Sequence, residues 1–257
     1  MKRLLNLVLV LVFVSVSNAV LAKQGGKPPP SQNLKNVITV SATGGDYINP
    51  VDAVNDIGDS STSNPYLVRI GPGVYVVTEP IVLKEGITLQ GSGVDATKLI
   101  GCVSNNYHDG SSIINGASDA AIMDLNVVNQ CAGVEMLAIA IYNYAASPLI
   151  ARVEAMADGA DDNYGIYNTY YAMPKMTDVT AYAPDGTAVH VDNSSPFILD
   201  SMLWGRTGLY LETDSTLSRI VDNMIIGGVL PVTYVTGDTP CRGNYNEILQ
   251  DVNCWSP

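Results

Sequence analysis

The chain has 257 residues with a formal net charge of −12, and that charge is unevenly placed. All 25 Asp+Glu lie beyond Asn36, where eight of the 13 Lys+Arg remain, so this part carries −17. Such a surface excludes nucleic acid and anionic membranes as partners, and repels a polyuronate unless divalent cations bridge the two.

Lys2 and Arg3 precede an apolar run from Leu4 to Val16, the pattern of a secretory signal peptide. Cleavage is expected after Ala19 or Ala22, with Ala22 preferred because Lys23 opens a polar stretch; a retained N-terminal anchor is the rival reading. The signal thus spans residues 1–22, and the mature protein is expected to be secreted, periplasmic or at the cell surface, with no stable membrane span. Residues 23–36, with Gln24-Gly25-Gly26-Lys27-Pro28-Pro29-Pro30, read as a flexible linker. About 220 residues follow, ample for one β domain.

Val37–Val40 alternates as a short strand. Asn49 then offers an N-cap and Pro50 a first helical position, with Val51, Val54 and Ile57 on one face. This predicts a short helix that caps the open end of a stack. Strands are expected at Tyr66–Ile70, Tyr75–Val77, Ile81–Leu83, Ile87–Gln90 and Lys98–Ile100, punctuated by turns at Gly71-Pro72-Gly73, Glu85-Gly86 and Gly91-Ser92-Gly93.

Beyond Ser147 the chain repeats. Pro174-Lys175-Met176-Thr177-Asp178, Pro196-Phe197-Ile198-Leu199-Asp200 and Ser218-Arg219-Ile220-Val221-Asp222 recur at a spacing of 22, and Pro148 to Arg152 has the same pattern 26 residues earlier. A second strand recurs as Ile141-Tyr142-Asn143, Ile166-Tyr167-Asn168, Ala188-Val189-His190 and Leu209-Tyr210-Leu211. A sandwich accounts for short strands but not for this period. The period and the turns together predict an all-β, single right-handed parallel β-helix over residues 37–240. Cys102, Cys131, Cys241 and Cys254 suit an oxidising compartment. The favoured pairing is Cys102–Cys131, on adjacent rungs, with Cys241–Cys254 closing a tail over residues 241–257.

Some of these segments carry a resemblance. Gly45-Asp46-Tyr47, Ile70 to Tyr75, Ile87 to Gly93 and Ala96 to Ile100 resemble the opening of pectin methylesterases and other pectin-lyase-like β-helix proteins, and the later repeats are similar to secreted bacterial β-helix repeat proteins. The resemblance implies the fold. It does not carry over the esterase chemistry: Val77 stands where that family continues its Gly-x-Tyr turn with Glu. The Gln-Asp-Thr, Asp-Phe-x-Phe-Gly and Arg-Pro-Trp segments are also absent, as are the pectate lyase and polygalacturonase motifs.

Candidate chemistry is confined to a few columns. Asp178, Asp200 and Asp222 recur once per coil, about 4.8 Å apart. They read as a corner ladder accepting backbone N–H bonds, with Arg152 at one end; the alternative is a cation site or an acid catalyst of a polysaccharide-active enzyme. His190 is assigned to the column of Asn143 and Asn168, as a satisfied corner residue, and His108 beside Asp109 to a solvated loop. Asp158, Asp161 and Asp162 form either a solvated acidic loop or a calcium site, calcium being the one cofactor considered. Tyr142, Tyr167 and Tyr210 share a column just outside inward-facing Ile141, Ile166 and Leu209. Outward tyrosines offer apolar faces with hydroxyl rims, so they mark a surface for an extracellular polysaccharide, with Tyr144, Tyr170 and Tyr171 able to widen it; the alternative is cross-rung packing. Three functions stay open: a non-catalytic carbohydrate binder, an enzyme acting on an extracellular polysaccharide, and a structural or adhesive module.

Overall fold

A computed structural model describes residues 36–212, 217–227 and 241–246. The expected signal, the linker up to residue 35 and most of the tail, including Cys254, lie outside these residues, so the Cys241–Cys254 pairing does too. Asn36, expected as the end of the linker, is tied down by hydrogen bonds from its side chain to Asn64 and Pro65. Every strand pairing between named strands is parallel, and the strands stack in three columns that form three faces of a right-handed parallel β-helix.

Each face is defined by an inward apolar column in register. On the first, Val68, Leu89, Ile122, Ile150, Met176, Ile198 and Ile220 follow one another through consecutive rungs. The second contributes Tyr75, Leu99, Val127, Ala155, Ala181, Leu203 and Ile225. The third contributes Ile81, Ile114, Ile141, Ile166, Val189 and Leu209. All of these side chains are buried. Because strand side chains alternate with period two, burying one column fixes its neighbours outward. The 22-residue period is the distance from Lys175 to Phe197 to Arg219, which pair directly.

The strands Ala121–Tyr144, Leu149–Thr169 and Lys175–Asp192 each run through all three faces. They bend between the first and second at one residue per rung: Asp124, Arg152 and Asp178 all have φ near +55°, as do Asp200 and Asp222 on the following rungs. The helix Pro50–Asn55 begins where expected, with the Asn49 side chain accepting from the Val51 N–H. Pro50, Val51, Ala53 and Val54 are buried. Lys84 closes the helix, donating from Nζ to the carbonyls of Val54, Asn55 and Ile57, where the helix dipole favours a cation.

Candidate functional site

The backbone bend explains the Asp column. At φ values of +54°, +49° and +55°, Asp178, Asp200 and Asp222 occupy the left-handed region, which Asp tolerates better than most side chains. The expected side-chain role at this corner falls to the next residue. The Ser201 N–H donates to Asn223 Oδ1 (2.9 Å), the Asn223 N–H to Asn244 Oδ1 (3.0 Å) and the Val179 N–H to Ser201 Oγ (3.2 Å). The three Asp side chains point to solvent and do not converge on one hollow. Asp178 lines a depression of about 350 Å³ with Asp124, Arg152, Glu154 and Thr180, whereas Asp222 lines another with Arg219 and Arg242.

Arg152 turns toward the preceding rung rather than toward Asp178. It makes a two-pronged ion pair with Asp124, Nε to Oδ1 at 2.5 Å and Nη2 to Oδ2 at 3.1 Å. Hydrogen bonds from Arg152 hold the Asp124 carboxyl below the usual carboxylate range, and Gln90 adds a further donor. Asp124 escaped the sequence reading because its rung is 28 residues from Arg152, outside the 22-residue period.

The tyrosine column is real, and it contains one residue more than expected. Tyr142 pairs with Tyr167, Tyr167 with His190, and His190 with Tyr210. His190 therefore belongs to the tyrosine ladder, and the Asn143–Asn168 column continues to Val191 instead. The assignment of His190 as a corner residue is corrected by one position, since Val189, not Ala188, follows Ile141 and Ile166 inward. The rings are in contact: Tyr142–Tyr167 centroids lie 5.8 Å apart, Tyr167–His190 4.4 Å and His190–Tyr210 4.8 Å. Asn143 and Asn168 form their own buried ladder, Nδ2 to Oδ1 at 2.8 Å.

The ladder is covered over much of its length. Tyr142 and Tyr167 are only 7% and 8% exposed. His108 lies against both, at 5.7 and 4.8 Å, and Tyr164 packs edge-on against Tyr167 and His190 at 4.9 and 5.3 Å. His108 is thus part of an aromatic cluster, not a free loop residue. Its loop is fixed by Asn129, whose side chain accepts from the Val103 N–H and donates to the carbonyls of Val103, Ser111 and Ile139. The Cys102–Cys131 disulfide joins the same loop to the next rung, as the 29-residue spacing predicted.

Burial governs the ionisation of this cluster. It pushes the Tyr142 hydroxyl up to about 12, with nearby Asp109 adding to the effect, and also raises Tyr167. His190 is pushed down to about 4, mainly by burial. At neutral pH its imidazole is uncharged. The 3.3 Å contact between Nε2 and Glu212 Oε1 is therefore a hydrogen bond donated by a neutral ring, not an ion pair.

The exposed aromatic surface lies beside the ladder. Tyr144, Tyr170 and Tyr171 occupy the corner between the third and first faces, all half-exposed or more. Tyr144 and Tyr170 stack with centroids 4.9 Å apart and planes parallel to within 1°, and Tyr171 meets Tyr170 at 5.3 Å. Asp158, Asp161 and Asp162 do not come together: among the described residues no three acidic, His or Cys side chains are placed to hold a metal ion. Asp161 and Asp162 border a shallow hollow with Asp185 and Arg206. On the second face, Tyr182 and Trp204 stack at 4.4 Å, a pair that the 22-residue spacing alone could have revealed.

Three stacked faces of parallel strands, bent at left-handed corners and closed by an N-terminal helix, define a pectin-lyase-like right-handed parallel β-helix. One solved structure agrees in fold, and others are similar. A pectin methyl esterase of the rice weevil superposes with a TM-score of 0.54 at 14% identity, covering 87% of this chain and 92% of that one. The carrot pectin methylesterase gives 0.49 at 14% identity over 87% and 82% of the two chains, and PemA of Erwinia chrysanthemi 0.49 at 14% over 83% and 70%. No protein-family description and no curated protein matches the chain.

Proposed function

We propose that this is an exported, non-catalytic protein that binds an extracellular polysaccharide at the tyrosine corner formed by Tyr144, Tyr170 and Tyr171. The observation that carries this reading is the backbone at that corner. Tyr170 and Tyr171 both sit at positive φ, +55° and +63°, where a bulky side chain costs about 1–2 kcal/mol per residue. A corner needing only the bend has no use for bulk there: the same left-handed position is filled by Ala145 on the preceding rung and by Asn193 on the next. Two strained tyrosines hold two rings out in water, one of them stacked parallel on Tyr144. Flat apolar faces with hydroxyl rims suit sugar rings.

Tyr142 and Tyr167 act beneath this surface as its foundation. Tyr142 meets Tyr144 at 6.4 Å, so the buried ladder limits where the exposed ring can go. Partly exposed Tyr210 extends the ladder at its far end. Pectin methylesterases share the fold, which supports a glycan as the partner, but the −17 charge beyond Asn36 favours a neutral one.

The test is retention and cleavage over a panel of polysaccharides, with and without calcium. Tyr170→Ala combined with Tyr171→Ala should weaken retention severalfold, and Tyr142→Phe should preserve it. Retention unaffected by the double substitution would remove the site. The second reading, a polysaccharide-active enzyme, draws on the depression where Asp178 lies with Asp124, Arg152 and Glu154. Chain cleavage lost in Asp178→Asn would establish it and overturn the binding role.

A further inference from the structure

The outward side of the second face carries a second aromatic surface, one face away from the tyrosine corner. Its outer column is apolar from Val76 through Ile100, Val128 (itself buried) and Met156 to Tyr182, Trp204 and Ile226, all in register. At Tyr182 and Trp204 the column becomes a platform: the rings stack at 4.4 Å with planes inclined by 29°, and Trp204 is 45% exposed.

Polar groups stand beside this platform because of a bulge. Ala183 pairs with Gly205 and Thr187 with Thr207, so Pro184, Asp185 and Gly186 stand opposite Arg206 alone. The extra residues throw Asp185 outward three residues past Tyr182, and Arg206 emerges two residues past Trp204 on the neighbouring strand; the hollow these two border is completed by Asp161, Asp162 and Tyr164. Gly186 permits this turn, since a Cβ there would collide with the Asn163 carbonyl oxygen. The Asp185 Oδ1 to Arg206 Nη2 distance is 3.8 Å, longer than a hydrogen bond, and both side chains are largely exposed. The guanidinium keeps its donors and the carboxylate its acceptors available to a third group.

We infer that Tyr182, Trp204, Asp185 and Arg206 form a second carbohydrate site, which takes a pyranose of a neutral glycan. The C–H face of a pyranose covers an aromatic ring, while adjacent hydroxyls at its edge both donate and accept, matching an Asp beside an Arg. Asp161 and Asp162 border the same hollow as Asp185, and together they outnumber Arg206, which disfavours an anionic sugar. The site stands on a different face and on different residues from the tyrosine corner, so the two stand or fall separately. With both, one molecule engages two glycan segments.

The chain has two tryptophans, so Trp255→Phe leaves Trp204 as the sole indole reporter. That variant is titrated with cello-, xylo- and manno-hexaose and with oligogalacturonate, with and without calcium, following indole emission. A saturable change with at least one neutral hexaose is expected. Arg206→Ala or Asp185→Ala, with unchanged melting, should weaken it by about tenfold, the loss of roughly one hydrogen-bonding partner. Tyr170→Ala with Tyr171→Ala should leave it intact, whatever that variant does to retention. The inference is overturned if no neutral hexaose alters the emission, or if oligogalacturonate alone does. It is equally overturned if emission changes with protein concentration and the particle mass doubles without sugar, which would make the apolar column a contact between copies.

Discussion

Tyr167 and His190 lie face to face on adjacent rungs, ring centroids 4.4 Å apart and planes inclined by 13°. The imidazole continues a stack of phenol rings, and its burial keeps it neutral. This makes it a point at which acid acts on the third face.

The His190 pKa, about 4 in the folded protein, lies below its ordinary value of 6.5. Between those values the unfolded chain binds a proton that the folded one does not, so stability rises with pH across this window and is lost as pH falls from 6.5 through 4. The full effect is on the order of 3 kcal/mol. Thermal melting followed between pH 7 and pH 4 should show this loss, and His190→Tyr should flatten it. An unchanged pH profile in His190→Tyr would assign the acid sensitivity to other groups.

The Asn129 side chain ties one N–H and three carbonyls between Val103 and Ile139. Asn129→Ala leaves these groups buried without that partner, each at about 1 kcal/mol or more. Denaturant unfolding should show a loss of at least 3 kcal/mol. Asn129→Asp should recover little of it, because a carboxylate cannot donate to the three carbonyls.

The Asp column is a matter of backbone, and substitutions at Asp200 can show it. With φ at +49°, Asp200→Gly should keep stability within about 0.5 kcal/mol and Asp200→Asn should do the same. Asp200→Val, which brings a β-branched side chain into the left-handed region, should cost about 1–2 kcal/mol. Equal melting temperatures for the Gly and Val variants would mean that the bend does not select the residue type.

Much of this solenoid was legible because its inward residues recur at a constant interval. Met176, Ile198 and Ile220 stand 22 residues apart and pair directly, and the helix at Pro50 announces itself through Asn49. The slip at His190 arose where the pattern is locally ambiguous. Ala188 and Val189 are both apolar, so either could have continued the inward column, and a one-residue shift moves every neighbour to the other side. What lies over an outward column was not legible. His108 reaches the tyrosine ladder from a long loop whose location follows no period. Tyr164, although it pairs in register with Ile139 and Thr187, packs across the ladder where its neighbours on those rungs are not aromatic. The same limit hid the Asp185–Arg206 pair, which exists only because three residues bulge opposite one. Trp204 above Tyr182 obeyed the 22-residue interval; its meaning came from the exposure of the pair.

The disulfide and the ring cover are mechanically linked, which yields a last prediction. Cys102 and Cys131 bracket the start of the loop that carries His108 onto Tyr142 and Tyr167. Closing a loop of this length contributes about 3 kcal/mol by restricting the unfolded chain. Cys102→Ser with Cys131→Ser should therefore lower stability by roughly that amount. It should also act locally, because the tether holding residues 102–111 to the next rung is gone while the Asn129 bonds remain. Amide exchange should accelerate in 103–110 more than in the inward columns around Ile141 and Ile166. His108→Ala in the oxidised protein provides the control: it uncovers the tyrosines without freeing the loop, so it should raise the accessibility of Tyr142 and Tyr167 to nitration while exchange in 103–110 changes little. If both variants behave alike in exchange, the loop is held by the ring contact and not by the disulfide.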